Sequence, residues 1–418
     1  VVGAASIGAD SAVSLWLPTD FCDAATSGHH PQVMAAQAAR ADEYFAWART
    51  RKIAVHASYA LNEATDGDSR GVVAAAAVEA TPAAPAELVV VPRDALLHCS
   101  SPLVCATQED AVAAQAFAAV ANKLRREDDV LACRLLFERS KGEASRWSAH
   151  VARLPEAPAH CLLHWSSDEL EELRGSDVFT LAARWREQIR SDFDEVSVLA
   201  EGTWPWLTRE TYTWAITMAW SRAITIEGRK TFVPVVDMLN HSPASHTTHG
   251  FDEARGAFVV RRAAPAAAGD ELTIVYEHAP NARLLLLYGF AMPLDRAAHG
   301  GRTLHVGLGR DAPHRVEKVA ILAGLGVKEE ATGEKPFVIS EAIPIPEKLA
   351  LTLYAQRCDL DQLGRLTAYP DREPAPLRAA LSDLVDACDA MLANYPSNDA
   401  DDATALADDA LPPRKRLA

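Results

Sequence analysis

The chain has 418 residues, more than one hydrophobic core usually supports, so roughly two to three domains are expected. Apolar residues make up 49% and charged residues 23%, which excludes a disordered or fibrous chain. With 41 Lys and Arg against 57 Asp and Glu, the net charge of −16 repels a phosphate backbone and argues against general nucleic-acid binding. The seven cysteines are scattered, with no CxxC pair, which fits a reducing compartment and offers no cysteine-based zinc site. No run approaches the roughly 18 apolar residues of a membrane span. The sequence begins at Val1, so targeting is not read from it.

In chain order, the pattern from Gln32 to Trp47 predicts a helix, and the polar turn Asp66–Ser69 followed by β-branched residues predicts a turn and then a strand. ELVVVP (Glu87–Pro92) reads as the next strand. Helical signals then dominate: Glu109–Arg125, Asp129–Ser140, and SSDELEEL with Ser167 as its N-cap. Another helix is expected from Thr208, with Trp214, Met218 and Ser221 on one face. GAFVVRRAAP and GDELTIVY read as two strands joined by a turn, and from His314 to Leu392 the pattern is mostly helical. The basic group Pro413–Arg416 reads as the solvated start of a further helix rather than a nuclear address.

Few segments suggest chemistry singly. His241, His246 and His249 fall close together but match no helical HExxH arrangement and have no cysteine nearby, so metal binding is not favoured. Asn240-His241 follows an apolar strand that carries it inward, where both side chains need partners. Tyr276 ends a strand, and Tyr288-Gly289-Phe290 comes twelve residues on; alone, such aromatics read as core. There is no GxGxxG, P-loop or GxSxG element, which removes the usual supports of kinase and hydrolase readings.

Taken together, SRGVVA (Ser69–Ala74), ELVVVP, SRAI (Ser221–Ile224), VPVVDMLNHS (Val233–Ser242), GDELTIVY (Gly269–Tyr276), Asn281 and YGF (Tyr288–Phe290) form an ordered set. This order resembles the SET-domain protein methyltransferases, in the branch typified by the Rubisco large-subunit lysine methyltransferase. The stretch Arg146–Leu173 is similar to the start of the helical insert that splits the SET domain in that branch. The resemblance implies an α+β fold: a β-rich SET domain with a pseudoknot, interrupted by a helical insert and followed by an all-α C-terminal domain. The expected boundaries are 32–100 and 208–293 for the two SET parts, 101–207 for the insert, and 300–418 for a helical substrate-binding domain. In relatives, a longer helix follows the segment resembling ANYPSNDADDATAL, so this domain is expected to be cut short.

The resemblance also implies an S-adenosylmethionine pocket built from Asp68, Ser69, Arg70, Arg222, Asn240 and His241 and closed by Tyr288 and Phe290. Tyr276 matches the family's catalytic tyrosine. Ser221, Arg222, Asp237, Tyr276 and Tyr288 fall where the family lines its substrate channel, and no metal is implied. The activity implied is methylation of a protein lysine by a monomer that binds neither nucleic acid nor membrane. A related branch methylates histidine in actin and places Gln-Asn where this chain has Ala223-Ile224, and an apolar pair suits an alkyl amine. A protein-histidine methyltransferase and an inactive SET-fold interaction module remain as alternatives. Two departures stand out: Glu277 follows the tyrosine where relatives have Gly, and Asp68 and Arg70 occupy a loop that is usually Gly-rich.

Overall fold

The computed structural model describes residues 31–62, 70–105, 107–158, 160–292, 302–309, 311–327, 334–339, 345–364 and 374–406. Asp68, Ser69 and the basic group Pro413–Arg416 lie outside the described residues.

Helix α1 (Pro31–Thr50) opens this region, with Tyr44 and Ala48 one turn apart and fully buried on its inner face. Five short strands follow: β1 (Ala54–Val55), β2 (Tyr59–Asn62), β3 (Gly71–Ala74), β4 (Ala86–Pro92) and β5 (Leu97–His98). The apolar run Leu88–Val91 puts β4 in the middle of a sheet, as its composition predicts.

The helical insert comes next. Helices α2 (Gln108–Ala121), α3 (Glu127–Ser140), α4 (Ser148–Val151), α6 (Asp177–Ala200) and α7 (Arg209–Arg222) pack around Phe117, Phe137 and Trp204, whose rings stack at 4.9 and 5.4 Å, while α5 (Ser167–Glu171) packs through Leu170 on a separate cluster with Leu162, Trp165 and Leu285. Thr107 and Thr208 cap α2 and α7 with reciprocal side-chain bonds. The cap of α5 is Ser166, not Ser167: its hydroxyl accepts the Glu169 N–H while the Glu169 carboxylate accepts the Ser166 N–H. Of two adjacent serines, the one three residues before the glutamate closes the box. Trp147 Nε1 donates to the Ala95 carbonyl at 2.9 Å, tying the insert to the strands before it.

After α7 the chain returns to strands: β6 (Ile224–Ile226), β7 (Arg229–Phe232), β8 (Asn240–His241), β9 (Thr247–Asp252), β10 (Ala257–Arg262) and β11 (Thr273–Ile274), then helix α8 (Asn281–Tyr288). The main sheet runs β1-β4-β10-β9, all antiparallel, and a second runs β5-β7-β6. The expected pairing of GAFVVRRAAP with GDELTIVY does not occur. The partners of β10 are β4 and β9, and GDELTIVY contributes only β11, which lies parallel to β8 with Thr273 opposite Asn240 and Ile274 opposite His241. Polar residues and Gly250 mask β9 in the sequence, and His249 stands on this strand with its ring 5.9 Å from Phe258.

The parallel β8·β11 contact carries the site. The stretch before β11 also bonds β3, with Leu272 N–H to the Val72 carbonyl and Ala74 N–H to the Asp270 carbonyl. Three segments far apart in sequence, Gly71–Ala74, Asn240–His241 and Glu271–Tyr276, thus meet over a core that includes Tyr44, Val72, Val233, Leu239 and Ile274.

The C-terminal region is helical, with Arg315–Gly324, Glu347–Arg357 and Pro374–Leu392 packed on Leu349, Leu353 and Tyr354. It also holds one antiparallel ribbon that the all-α reading left out: β12 (Arg302–Gly307) with β13 (Glu334–Ile339), Leu304 opposite Phe337. Pro336 masks β13 in the sequence, because a proline within a run demotes it as a strand and is tolerated only where one edge stays unpaired.

Candidate active site

Between β7 and β8 the apolar chain turns sharply at Val235, whose φ of 75° is rare for a β-branched residue. Two buried tyrosines hold that turn: Tyr44 Oη accepts the Val235 N–H at 2.9 Å, and Tyr59 Oη donates to the Val235 carbonyl at 2.7 Å. Such strain persists only where the surroundings over-determine it. Its consequence is local: the single helical turn Val236–Met238 swings Asp237 inward, and Asn240 emerges two residues later on β8.

Asp237 lines a cleft with Leu61, Asn62, Arg70, Gly71, Arg153, Arg222, Met238, Asn240 and Tyr276. Its carboxylate is fully buried and, among the described residues, accepts no hydrogen bond; His150 Nε2 is 3.5 Å away. Burial pushes the Asp237 carboxyl up from the ordinary value, while His150 and Arg222 pull it down. The folded state therefore holds more protons than the unfolded chain between the two values, and stability falls as pH rises through that window. Asp237→Asn is expected to raise the Tm by about 2 °C near pH 8, with a gap that narrows on acidification, as measured by thermal denaturation at several pH values.

Arg222, at the end of α7, donates to the Asp237 carbonyl at 2.8 Å. Tyr276 follows β11 and donates its hydroxyl to the Leu239 carbonyl at 2.7 Å, while its N–H donates to His241 Nδ1 at 3.0 Å. Burial pushes the Tyr276 phenol up to about 12, the neighbouring Arg222 charge opposing it and Asp237 adding to it. Around it stand His241 at 5.4 Å, Tyr288 at 5.0 Å and Phe290 at 6.3 Å between ring centroids. Asn240 spends both amide hydrogens inside the protein, on the Arg70 carbonyl and on Glu271 Oε1, each at 2.8 Å.

The residues picked out in the sequence therefore divide. Arg70, Arg222, Asp237, Asn240 and Tyr276 share the cleft, and His241, Tyr288 and Phe290 form an aromatic wall behind Tyr276. Ser221 stands apart, since it is not among the lining residues and its hydroxyl donates to the Thr217 carbonyl one turn back. Sequence reasoning missed Tyr44, Tyr59, His150, Gly71 and Glu271, whose placement depends on long-range pairing that no local pattern announces. The Glu277 departure has a partner of its own: its carboxylate accepts Arg283 Nε at 2.8 Å in the first turn of α8. Among the described residues, no three His, Cys, Asp or Glu side chains gather as a metal site.

Gly289 turns the chain between Tyr288 and Phe290 with φ 78°, and a Cβ there would lie 2.6 Å from both the ring and the carbonyl of His160 in the insert. Gly289→Ala is expected to cost about 2 kcal/mol and to disorder the aromatic wall, as read by denaturant unfolding and near-UV circular dichroism.

Comparison with known proteins bears on the fold. Residues 309–418 match the Rubisco LSMT substrate-binding family. Among curated proteins, the chain is 28% identical over 201 residues to the chloroplastic Rubisco large-subunit N-methyltransferase of Pisum sativum, covering 44% of this chain and 40% of that one. It is 27% identical over 164 residues to the chloroplastic fructose-bisphosphate aldolase-lysine N-methyltransferase of Arabidopsis thaliana, covering 35% and 34% respectively. These alignments span less than half the length of either relative. In three dimensions, the SET domain of LSMT bound to lysine and AdoHcy superposes with a TM-score of 0.72 at 20% identity, over 91% of this chain and 87% of that one. The chain has the LSMT-type SET fold. LSMT bound to AdoMet is similar over 90% of this chain, with a TM-score of 0.69 and 20% identity. Among the described residues, no helix is long and apolar enough to cross a membrane.

Proposed function

We propose that the chain is an S-adenosylmethionine-dependent protein-lysine N-methyltransferase. One observation carries this reading: Asp237 and Asn240, set by the turn at Val235, and Tyr276, set by β11, converge on a single cleft. The donor set fits the cofactor. Both Asn240 amide hydrogens are engaged, so its Oδ1 is left to accept from an ammonium group. Gly71 keeps one wall free of a side chain, and a Cβ there would meet Asn240 Nδ2 at 2.7 Å. Arg70, Gly71, Arg222, Asn240 and His241 would hold the cofactor, with Tyr288 and Phe290 closing over it; the sequence resemblance adds Asp68 and Ser69, which lie outside the described residues.

S-adenosylmethionine, when bound, supplies a methyl group already activated by its positive sulfur. The protein's task is then alignment and the exclusion of water. Holding a lysine amine neutral at pH 7 costs on the order of 4.6 kcal/mol from a reference value near 10.4. Desolvation in the channel and the neighbouring positive charge both reduce that cost. Tyr276 orients the amine and takes no proton: a phenol pushed up to about 12 is ionised in about one molecule in 10⁵ at pH 7. Its hydroxyl hydrogen is committed to Leu239, so its lone pairs face the cleft. Asp237 receives the amine side chain between Arg222 and Tyr276. Ser221 belongs to the same channel wall only through the helix backbone it braces.

Lysine is favoured over histidine because Ala223-Ile224, which packs against the insert and SET cores, is apolar where the histidine-methylating branch has Gln-Asn. The C-terminal helices would hold the protein substrate, in keeping with the family matched there. We take the acting species to be a monomer without affinity for nucleic acid, consistent with its charge of −16. The test is calorimetric titration with S-adenosylmethionine of the wild type and of an Asn240→Ala, His241→Ala double variant. It is followed by labelled-methyl transfer into a lysate and amino-acid analysis. Binding that is lost in the double variant, with label in methyllysine, is expected. Label confined to methylhistidine would transfer the reading to histidine, and a folded wild type that binds no cofactor would leave an interaction module.

A further inference from the structure

We propose that His150 is a positioning residue of the substrate channel, holding the Asp237 carboxylate toward an incoming amine through an Nε2–H whose tautomer Tyr44 fixes. The inference rests on the reading of Asp237 as a channel residue, and it deepens that reading by assigning a role to the insert. His150 lies on α4, so the segment that interrupts the SET domain would supply part of its chemistry.

The argument follows the protons. Tyr44 Oη accepts the Val235 N–H at 2.9 Å, and His150 Nδ1 lies 3.2 Å from the same oxygen. With one lone pair of Tyr44 taken, its own hydrogen goes to Nδ1, the acceptor in reach, and the imidazole hydrogen must then sit on Nε2. Nε2 faces Asp237 Oδ2 at 3.5 Å, both side chains having no exposure to solvent. Among the described residues, neither atom has a hydrogen-bond partner, and a shift of a few tenths of an ångström joins them. Asp237 Oδ1 likewise accepts nothing, which leaves it for a donor from outside. A buried, unsatisfied carboxylate oxygen on a residue that lines a cleft is costly unless a ligand completes it.

The groups that face this pair set its charge. Tyr44 comes from α1, Tyr59 from β2, Arg222 from α7 and Tyr276 from after β11, with Arg153 just past α4. Burial and the Arg222 charge keep the imidazole neutral, against the pull of Asp237. A neutral Nε2–H donor supports the Asp237 carboxylate without cancelling its charge, whereas an imidazolium would neutralise it.

The experiment uses two readouts. ¹⁵N-histidine NMR of the ligand-free protein should show His150 as a neutral Nε2–H tautomer at neutral pH, with protonation only below the ordinary imidazole range. Calorimetry then follows binding of free monomethyllysine to protein saturated with S-adenosylhomocysteine from about pH 5 to about pH 9. His150→Phe should weaken methyllysine about tenfold and move the acid limb of binding to higher pH, because the carboxylate loses its donor. His150→Gln, which keeps an N–H, should stay near wild type in both, and affinity for S-adenosylhomocysteine should not move. Tyr44→Phe, which removes one hydroxyl, should shift the limb in the same direction. An Nδ1–H tautomer, an imidazolium, or an unchanged limb in His150→Phe would overturn the proposal. A wild type that binds S-adenosylhomocysteine but no methyllysine would instead sink the lysine-channel reading, with the NMR still deciding where His150 points its hydrogen.

Discussion

Tyr276→Phe is expected to lower the rate of methyl transfer roughly 100-fold while leaving cofactor affinity within about threefold. The ring stays: its neighbours His241 and Tyr288, at 5.4 and 5.0 Å, pack against carbon rather than against the hydroxyl. What is lost is the bond to the Leu239 carbonyl and the oxygen that faces the cleft. The stability cost is about 1 kcal/mol, because one buried carbonyl loses its donor. Since the phenol is pushed up to about 12, the wild-type rate should show no limb from tyrosine ionisation below about pH 10. Single-turnover transfer of a labelled methyl group, with calorimetry for the cofactor, separates the two quantities. A rate within threefold of wild type would remove Tyr276 from the chemistry and leave it as packing.

The parts of the site that were legible in the sequence are those whose signal is local and ordered. Asn240-His241 after an apolar run, Tyr276 at a strand end and Tyr288-Gly289-Phe290 each sit within a few residues of a recognisable pattern, and their order along the chain ties them together. The strand pairing was not legible. β11 is two residues long and parallel to β8, so neither alternation nor a hairpin turn marks it. β9 carries Thr, His and Gly on an edge and reads as loop until β10 is placed beside it. Tyr44, Tyr59 and His150 look like core in a helix, a strand and the insert. They become part of the site only because Val235 takes a backbone conformation that the sequence of an apolar strand does not foretell. Ser221 is the opposite case. Its position beside Arg222 suggested the channel, but a serine near a helix end readily bonds its own backbone four residues back.

Gly71→Ala should abolish cofactor binding about as completely as removal of the Asn240 side chain, a loss of roughly 100-fold, with a stability cost of about 1–3 kcal/mol. Gly71 opens β3 opposite Asn62, and its backbone is ordinary, so strain at φ is not the cause. The cause is approach: a Cβ would stand 2.7 Å from Asn240 Nδ2 and 2.9 Å from Glu271 Oε1, and neither can yield freely. Asn240 is pinned at both amide hydrogens, one of them by Glu271, so moving either group breaks the bond between them. Displacement would turn Asn240 Oδ1 away from the cleft, which is why one methyl group far smaller than the ligand is expected to cost so much. A double-mutant cycle with Asn240→Ala tests this route. If the damage passes through Asn240, the Gly71→Ala, Asn240→Ala pair binds S-adenosylmethionine no worse than Asn240→Ala alone. Additive losses would mean that Gly71 meets the cofactor directly, through a wall that tolerates no side chain. Retained affinity in Gly71→Ala would mean that Asn240 does not hold the cofactor.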